Sequence, residues 1–208
     1  KLLEEMEKEG ININIHLGAE VFFNFNLLNI IDNPLTTFNN GKYMLIEFLV
    51  KELPPNYLDE LYKLQNKGIT PIIAHPERYF SIQKNPDIAD DWNRRGFILQ
   101  LDCGSILGHF GNKCKEKSME LIECGYIQLI GSDSHNNKLR NFCLKDAHDK
   151  IKSLYSVKIV EKLKRNSLLL LNGKDLEIIG PVQKSIKYTE KDNKSIFTNL
   201  VKIIKRRA

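Results

Sequence analysis

The sequence predicts an α/β protein with a parallel sheet, and three observations carry this prediction. Strand-like and helix-like segments alternate from residue 12 to about residue 173, which is typical of folds built from βα repeats. The chain has 208 residues, of which 42% are hydrophobic and 27% charged, and this is enough for one substantial core. Imidazole, carboxylate and guanidinium groups follow two of the apolar runs. Since an α/β barrel places its chemistry at such strand ends, the sheet is expected to be open or closed into a barrel.

The first half of the chain contains short apolar runs bounded by turn residues. Residues 1–9 are typical of the last turns of a helix that ends at Gly10. Strands are predicted over residues 17–23, 43–48 and 69–74. The amphipathic pattern of residues 56–66 predicts a helix, which Gly68 closes.

The second half continues the same alternation. Strands are predicted over residues 97–102 and 127–130, and helices over residues 86–95, 112–123 and 157–171. The glycine-rich residues 104–111 lack the Lys-Ser/Thr ending of a phosphate-binding P-loop. We therefore predict a loop at the barrel mouth, in which Ser105 could line a substrate pocket.

The charge of the chain is concentrated at its C-terminal end. The formal net charge is +5, the segment from Pro181 onward carries +6, and residues 1–180 therefore carry −1. A near-neutral body argues against a nucleic-acid partner. We predict a main domain over residues 1–180 and a basic extension over residues 181–208. Apolar residues at helical spacing near a cationic end could let this extension contact a membrane surface; the alternative is a tail that packs on its own domain or lies in solvent.

The cysteine pattern indicates a reducing compartment. The four cysteines form no C-x-x-C pair and none begins the C-x5-R loop of a thiolate phosphatase: Cys103, Cys114, Cys124 and Cys143. No apolar run approaches the roughly 20 residues that span a bilayer, and the start lacks the features of a signal peptide. A cytoplasmic protein is expected, and it could form a homo-oligomer.

Candidate metal ligands follow or interrupt the predicted strands. His75 ends one strand, and Asp133 and His135 follow another at a spacing that puts both side chains on one side. Glu20 and Glu47 lie among strand apolar residues, where an ionised carboxylate is costly unless a cation or hydrogen bonds compensate it. Each residue alone could be structural. Together they form a nitrogen and oxygen ligand set that suits Mn, Fe or Zn.

Two arginines follow these candidate ligands. Arg78 and Arg140 lie in predicted loops, a few residues after His75 and His135. A guanidinium group presents a planar fork of donors that matches phosphate, although either side chain could instead be solvated on the surface. The combined pattern indicates a metal-assisted phosphoester hydrolase.

Five segments, taken in order, resemble a known family. They are GAEV at residues 18–21, YMLIEF at 43–48, GITPIIAHPER at 68–78, GSILG at 104–108, and SDSH at 132–135 with Arg140. This ordered set resembles the PHP-type (polymerase and histidinol phosphatase) bacterial protein-tyrosine phosphatases, the CpsB and YwqE-like enzymes of capsule and exopolysaccharide operons. The resemblance covers about residues 1–175.

The resemblance implies a distorted parallel (β/α) barrel with two or three divalent ions, usually Mn. It implies hydrolysis of phosphotyrosine on a partner tyrosine kinase that regulates polysaccharide synthesis and export. Glu20 then corresponds to a bridging carboxylate, Glu47 and His75 to ligands of a second ion, and Asp133 and His135 to ligands of the remaining ions. Arg78 and Arg140 correspond to the phosphate-site arginines.

One feature of the family is absent from the sequence. Family members begin with a strand that carries D-x-H-x-H and further ligands before the helix at which this chain starts. We therefore expect an N-terminally incomplete barrel that lacks its first strand and about half of its metal ligands. Two alternative functions stay open: a catalytically weak phosphoprotein-binding or scaffold module, and a PHP phosphatase that acts on a small phosphate monoester.

Overall fold

The fold is built on one parallel sheet. The computed structural model describes residues 2–38, 41–138 and 140–184. Its five strands are β1 (Glu20–Phe22), β2 (Tyr43–Glu47), β3 (Thr70–Ala74), β4 (Ile98–Asp102) and β5 (Ile127–Gly131). They lie in the order β1-β2-β3-β4-β5, and every neighbouring pair is parallel. Because each connection adds the next strand on the same side, the order is that of consecutive βα units in a barrel. The α/β prediction is confirmed.

Helices connect and cover the strands. They are α1 (Leu2–Lys8), α2 (Tyr57–Asn66), α3 (Phe80–Lys84), α4 (Asp87–Arg94), α5 (Cys103–Leu107), α6 (Asn112–Glu123), α7 (Leu144–Leu154) and α8 (Val157–Leu171), with short 3-10 helices at Leu27–Ile30 and Pro76–Arg78. Within the described ranges, every helix is too short or too polar to cross a lipid bilayer.

The two faces of the sheet differ in how they are buried. Met44 and Ile46 point to the outer face, where they join a large helix-covered core that contains Trp92 and Tyr79. A much smaller apolar cluster lies on the inner face, where Leu170 of α8 packs with five sheet side chains: Tyr43, Leu45, Ile72, Ala74 and Leu129. Because side chains alternate along a strand, the residues that follow this small cluster toward the carboxyl ends of the strands also point to the inner face.

The predicted loop at residues 104–111 is wrong in its first half, which forms α5. The Asp102 side chain accepts a hydrogen bond from the Gly104 N–H at 2.7 Å and so caps the helix. A Cβ on Gly104 would lie 2.9 Å from the Phe110 ring, and Gly108 ends the helix with a φ of 95°. The glycines therefore permit close packing and a helix end.

The chain after α8 crosses the amino edge of the sheet as a strap, residues 174–184. The Ile179 N–H donates to Gln128 Oε1 at 2.8 Å, and the Val182 N–H donates to the Glu123 carbonyl at 2.9 Å. A Cβ on Gly125 would lie 2.4 Å from the backbone of Gly180. The strap thus continues past the predicted boundary at residue 180, while the predicted amphipathic segment lies outside the described residues.

Candidate active site

Three candidate ligands from three neighbouring strands meet at the carboxyl edge of the sheet. Glu20 lies on β1, Glu47 ends β2, and His75 directly follows β3. His75 Nε2 lies 3.1 Å from Glu20 Oε1 and 3.2 Å from Glu47 Oε1. One ligand atom of each residue lies within 4.8 Å of the other two, the spacing of a metal-binding group. We call these residues the Glu–Glu–His cluster.

The backbone at His75 turns sharply to place the ring over the two carboxylates. Pro76 follows it and begins a 3-10 helix, because proline cannot continue the strand's hydrogen bonding. His75 itself has φ 33° and ψ 57°, in the left-handed region, and Asp133 has a φ of 42°. Such values are strained for residues with side chains and occur often at functional sites.

Within this cluster, His75 and Glu47 shift each other's pKa values in opposite directions. Burial alone would lower the pKa of His75, but its contacts with Glu20 and Glu47 outweigh burial and raise the pKa to about 9. The contact with His75 lowers the pKa of Glu47. A metal ion held by the same three side chains would compete with a proton for His75 Nε2, so metal binding is coupled to deprotonation of the ring.

The two predicted phosphate-site arginines meet at Asp133. Arg78 Nη1 donates to Asp133 Oδ2 at 2.8 Å, and Arg140 Nη2 donates to the same oxygen. Arg78 also lies 3.4 Å from Asp102 Oδ2, and its guanidinium stacks on the Phe110 ring at 4.7 Å. These contacts hold Arg78 in a fixed orientation, 15% exposed.

Asp133 and His135 lie in the loop after β5, so the expectation that strand alternation would align them does not apply. The loop is closed by Asn136, which accepts hydrogen bonds from the Lys138 and Arg140 N–H groups. Asp133 lines the cavity beside the cluster, whereas His135 is 55% exposed and its Nδ1 lies 2.9 Å from the Asp133 carbonyl. The structure brings Asp133 to the site and leaves His135 at its margin.

The cavity at this edge has a volume of about 170 Å³. It is lined by Glu20, Leu45, His75, Gln100, Leu101, Asp102, Gly131 and Asp133. Gly131 lets Gln100 pack closely here, because a Cβ would lie 3.1 Å from Gln100 Oε1, which is closer than an ordinary contact. A cavity of this size at the carboxyl ends of the strands has room for small ions.

Sequence reasoning missed two buried acids next to the cavity. Asp102 is the last residue of β4, and burial raises its pKa. Glu77 is fully buried, accepts a hydrogen bond from the Asp102 N–H at 3.2 Å, and has a pKa that burial raises to about 7. Asp102 could have been predicted as a site residue, because it is an acid at the end of a buried strand. Ser105 is fully buried in α5 beside Glu77 and does not line the cavity.

A Glu–Glu–His cluster with two arginines, at the carboxyl ends of parallel strands, defines a metal-dependent hydrolase of the α/β class. The chain belongs to the CpsB/CapC family of capsular polysaccharide synthesis, whose family model matches residues 1–172. This confirms the resemblance drawn from the sequence.

Named relatives and solved structures agree with this assignment. Tyrosine-protein phosphatase YwqE of Bacillus subtilis is 33% identical over 178 residues, which are 85% of this chain and 70% of YwqE. Tyrosine-protein phosphatase CpsB of Streptococcus pneumoniae is 27% identical over 168 residues, which are 77% of this chain and 69% of CpsB. A crystal structure from work on these two metal-dependent tyrosine phosphatases superposes with a TM-score of 0.80 at 30% identity, covering 89% of this chain and 75% of the other.

Proposed function

We propose that this chain is a metal-dependent protein-tyrosine phosphatase. Its substrate is phosphotyrosine on a partner tyrosine kinase of the polysaccharide export system, and its action regulates capsular or exopolysaccharide synthesis. The observation that carries the proposal is the buried His75 between Glu20 and Glu47, beside two arginines that meet at one carboxylate. The names of the relatives and the capsular family support the substrate and the pathway.

The donor set of the Glu–Glu–His cluster fits a divalent transition metal. Two carboxylates and one imidazole suit Mn, Fe or Zn, and we propose Mn. His75 Nδ1 is buried and has no hydrogen-bond partner among the described residues. Asp133 and His135 are proposed ligands of further ions. When bound, such ions lower the pKa of water and offset negative charge on phosphoryl oxygens.

The arginines are positioned to hold the phosphate. Arg78 and Arg140 both donate to one oxygen of Asp133, which holds the two guanidinium groups together next to the cavity, and their other N–H donors could bind a phosphate oxygen there. Phe110 and Asp102 fix Arg78 from behind. Because the donors are held in place before substrate arrives, they can stabilise charge on the phosphoryl group at little reorganisation cost.

The cysteines are unsuited to nucleophilic catalysis. Cys103, Cys114 and Cys143 are buried and Cys124 is partly buried, and burial raises the pKa of each thiol. A thiolate nucleophile needs a lowered pKa in an electropositive setting. We therefore propose hydrolysis by water without a phosphocysteine intermediate, in a cytoplasmic protein whose thiols remain reduced.

Phosphate release from a phosphotyrosine peptide and from the phosphorylated kinase tests the proposal. We expect turnover with added Mn, its loss with a chelator, and its recovery when Mn is restored. Alkylation of the cysteines should leave activity in place, since no thiol takes part. Tight peptide binding without turnover would favour a scaffold instead, and faster turnover of small phosphate monoesters would favour a metabolite phosphatase.

A further inference from the structure

The inner face of the sheet continues past the Glu–Glu–His cluster with an exposed aromatic side chain. Phe22 is two residues after Glu20 on β1, so both side chains point to the same face. Phe22 is also in register with Glu47 on β2. Val21 between them is buried in the core of the outer face, whereas Phe22 is 55% exposed.

A second apolar side chain extends this surface just after the end of the neighbouring strand β2. Leu49 follows Glu47 by two residues, as Phe22 follows Glu20, and it is 56% exposed. Together they border an open cavity of about 400 Å³ at the carboxyl edge of the sheet. It is lined by Phe22, Phe23, Leu49, Glu52, Pro54 and Pro55. We call Phe22 and Leu49 the apolar shelf.

The apolar shelf rests on a rigid base. The Phe23 N–H donates to the Glu47 carbonyl at 2.8 Å, which continues the strand pairing beyond β1. The Phe23 ring packs on Phe48 at 4.9 Å, and Phe48 stacks on the buried Trp92 at 6.2 Å. Exposed large apolar side chains in a fixed backbone beside a polar site are a common mark of a ligand surface.

We propose that the apolar shelf binds the aromatic ring of the substrate phosphotyrosine, with Phe22 as the ring's main contact. This rests on the proposed phosphatase function and adds a reason for selectivity toward aryl phosphates. Two residues along a strand advance about 6.6 Å, so Phe22 lies one short step outward from the Glu20 carboxylate. A phosphate held at the cluster then directs its ester oxygen and ring over the shelf.

Selectivity for phosphotyrosine over other phosphate esters would come from its aromatic ring, which takes no part in the reaction. A phosphoserine side chain carries the same phosphate but has no ring to cover Phe22, and inorganic phosphate has neither ring nor chain. An aromatic contact contributes stabilisation beyond the burial of apolar area. The shelf therefore favours tyrosine phosphate while the metal and the arginines bind only the shared phosphoryl group.

Binding of peptides with non-hydrolysable phosphonates tests the shelf independently of turnover. The probes are a phosphotyrosine mimic and a phosphoserine mimic in the same peptide, measured by calorimetry with the Mn-loaded protein, and inorganic phosphate as an inhibitor. We expect Phe22→Ala to weaken binding of the aryl phosphonate by roughly three- to tenfold. The phosphoserine mimic and the inhibition constant of inorganic phosphate should stay unchanged, and Phe22→Tyr should restore aryl binding.

The matched control is Tyr62→Ala, because Tyr62 is an aromatic side chain that is 62% exposed on α2, away from the inner face. Thermal unfolding of both variants measures whether they are folded. Equal loss for both phosphonates, or no loss in Phe22→Ala, overturns the shelf and leaves the phosphatase proposal standing. Phe22-dependent aryl binding in a protein without turnover supports the shelf and removes the phosphatase proposal.

Discussion

The amino and carboxyl edges of the sheet both bury polar side chains, but only the amino edge pairs them fully. There the Asn166 amide donates to the carbonyls of Gln128 and Glu177 and accepts from the Glu177 N–H. The Gln128 amide donates to the Gly125 carbonyl and accepts from the Ile179 N–H. Each buried amide thus acts as donor and acceptor, which is how such groups stabilise a fold.

The carboxyl edge leaves some of its buried polar atoms unpaired. Among the described residues, His75 Nδ1 and Arg140 Nε have no hydrogen-bond partner, although both atoms are buried. His75 and Asp133 also hold left-handed backbone conformations. Unpaired atoms and strain cost stability, so their concentration at one edge indicates a place kept for ligands. The comparison separates an edge whose polar groups stabilise the fold from an edge to which we assign the proposed chemistry.

The largest expected effect is at the Glu–Glu–His cluster. Replacing His75 with Ala removes the nitrogen ligand, and we expect turnover to fall roughly 10³-fold or more with loss of bound metal. Phosphate release and elemental analysis measure the two effects. The control is His148→Ala on α7, which should retain both activity and metal. Full metal content in His75→Ala would contradict the assignment of the cluster.

The second-largest effect is expected at the two arginines, whose replacement should lower the rate and leave the metal content unchanged. Arg78→Ala should lower kcat by roughly 10²-fold with unchanged metal content, because a preorganised donor to the phosphoryl oxygens is lost. Arg78→Lys should recover only part of the rate, since an ammonium group cannot reproduce the fork. Arg140→Ala should act in the same direction. Arg95→Ala, at an exposed pair with Asp91 on α4, is the matched control.

The smallest effect on turnover is expected at the amino edge. Asn166→Ala leaves its partners unpaired in a buried site, and we expect a loss of about 2–3 kcal/mol in the free energy of unfolding. The melting temperature should fall by about 5–10 °C, while kcat at 25 °C stays within about twofold. Arg165→Ala, at an exposed pair with Glu177, should change the melting temperature little. A large change of kcat in Asn166→Ala would show that the two edges are not separate.

The sequence predicted the fold most accurately where local pattern and tertiary packing agree. Helix α6 begins and ends at the predicted residues, because its apolar face has the helical period and Gly111 and Gly125 bound it. Strand β1 is shorter than the predicted residues 17–23, since only Glu20–Phe22 lie in strand register with β2, beyond which a single hydrogen bond joins Phe23 to Glu47. Helix α5 was not predicted, because glycines are typical of loops. Gly104 instead lies within the helix and permits close packing against Phe110.

The site was predictable as far as strand order determines it. Glu20, Glu47 and His75 converge because they lie on, or directly after, three consecutive parallel strands, and the alternation of elements predicts such neighbouring strands. The pairing of Asp133 with Arg78 and Arg140 depends on the path of a loop, and no periodicity encodes it. Asp102 lines the cavity and contacts Arg78, which lies 24 residues before it in the sequence.

The strap has a consequence for the order in which parts of the fold assemble. Ile179 bonds to Gln128 across 51 residues, and the backbone of Gly180 approaches Gly125 at a point where no side chain would fit. Closing so long a loop costs entropy that is recovered only when its docking surface already exists. We therefore expect the strap to dock after α6 and β5 have assembled, and to be able to open without disturbing the carboxyl ends of the strands.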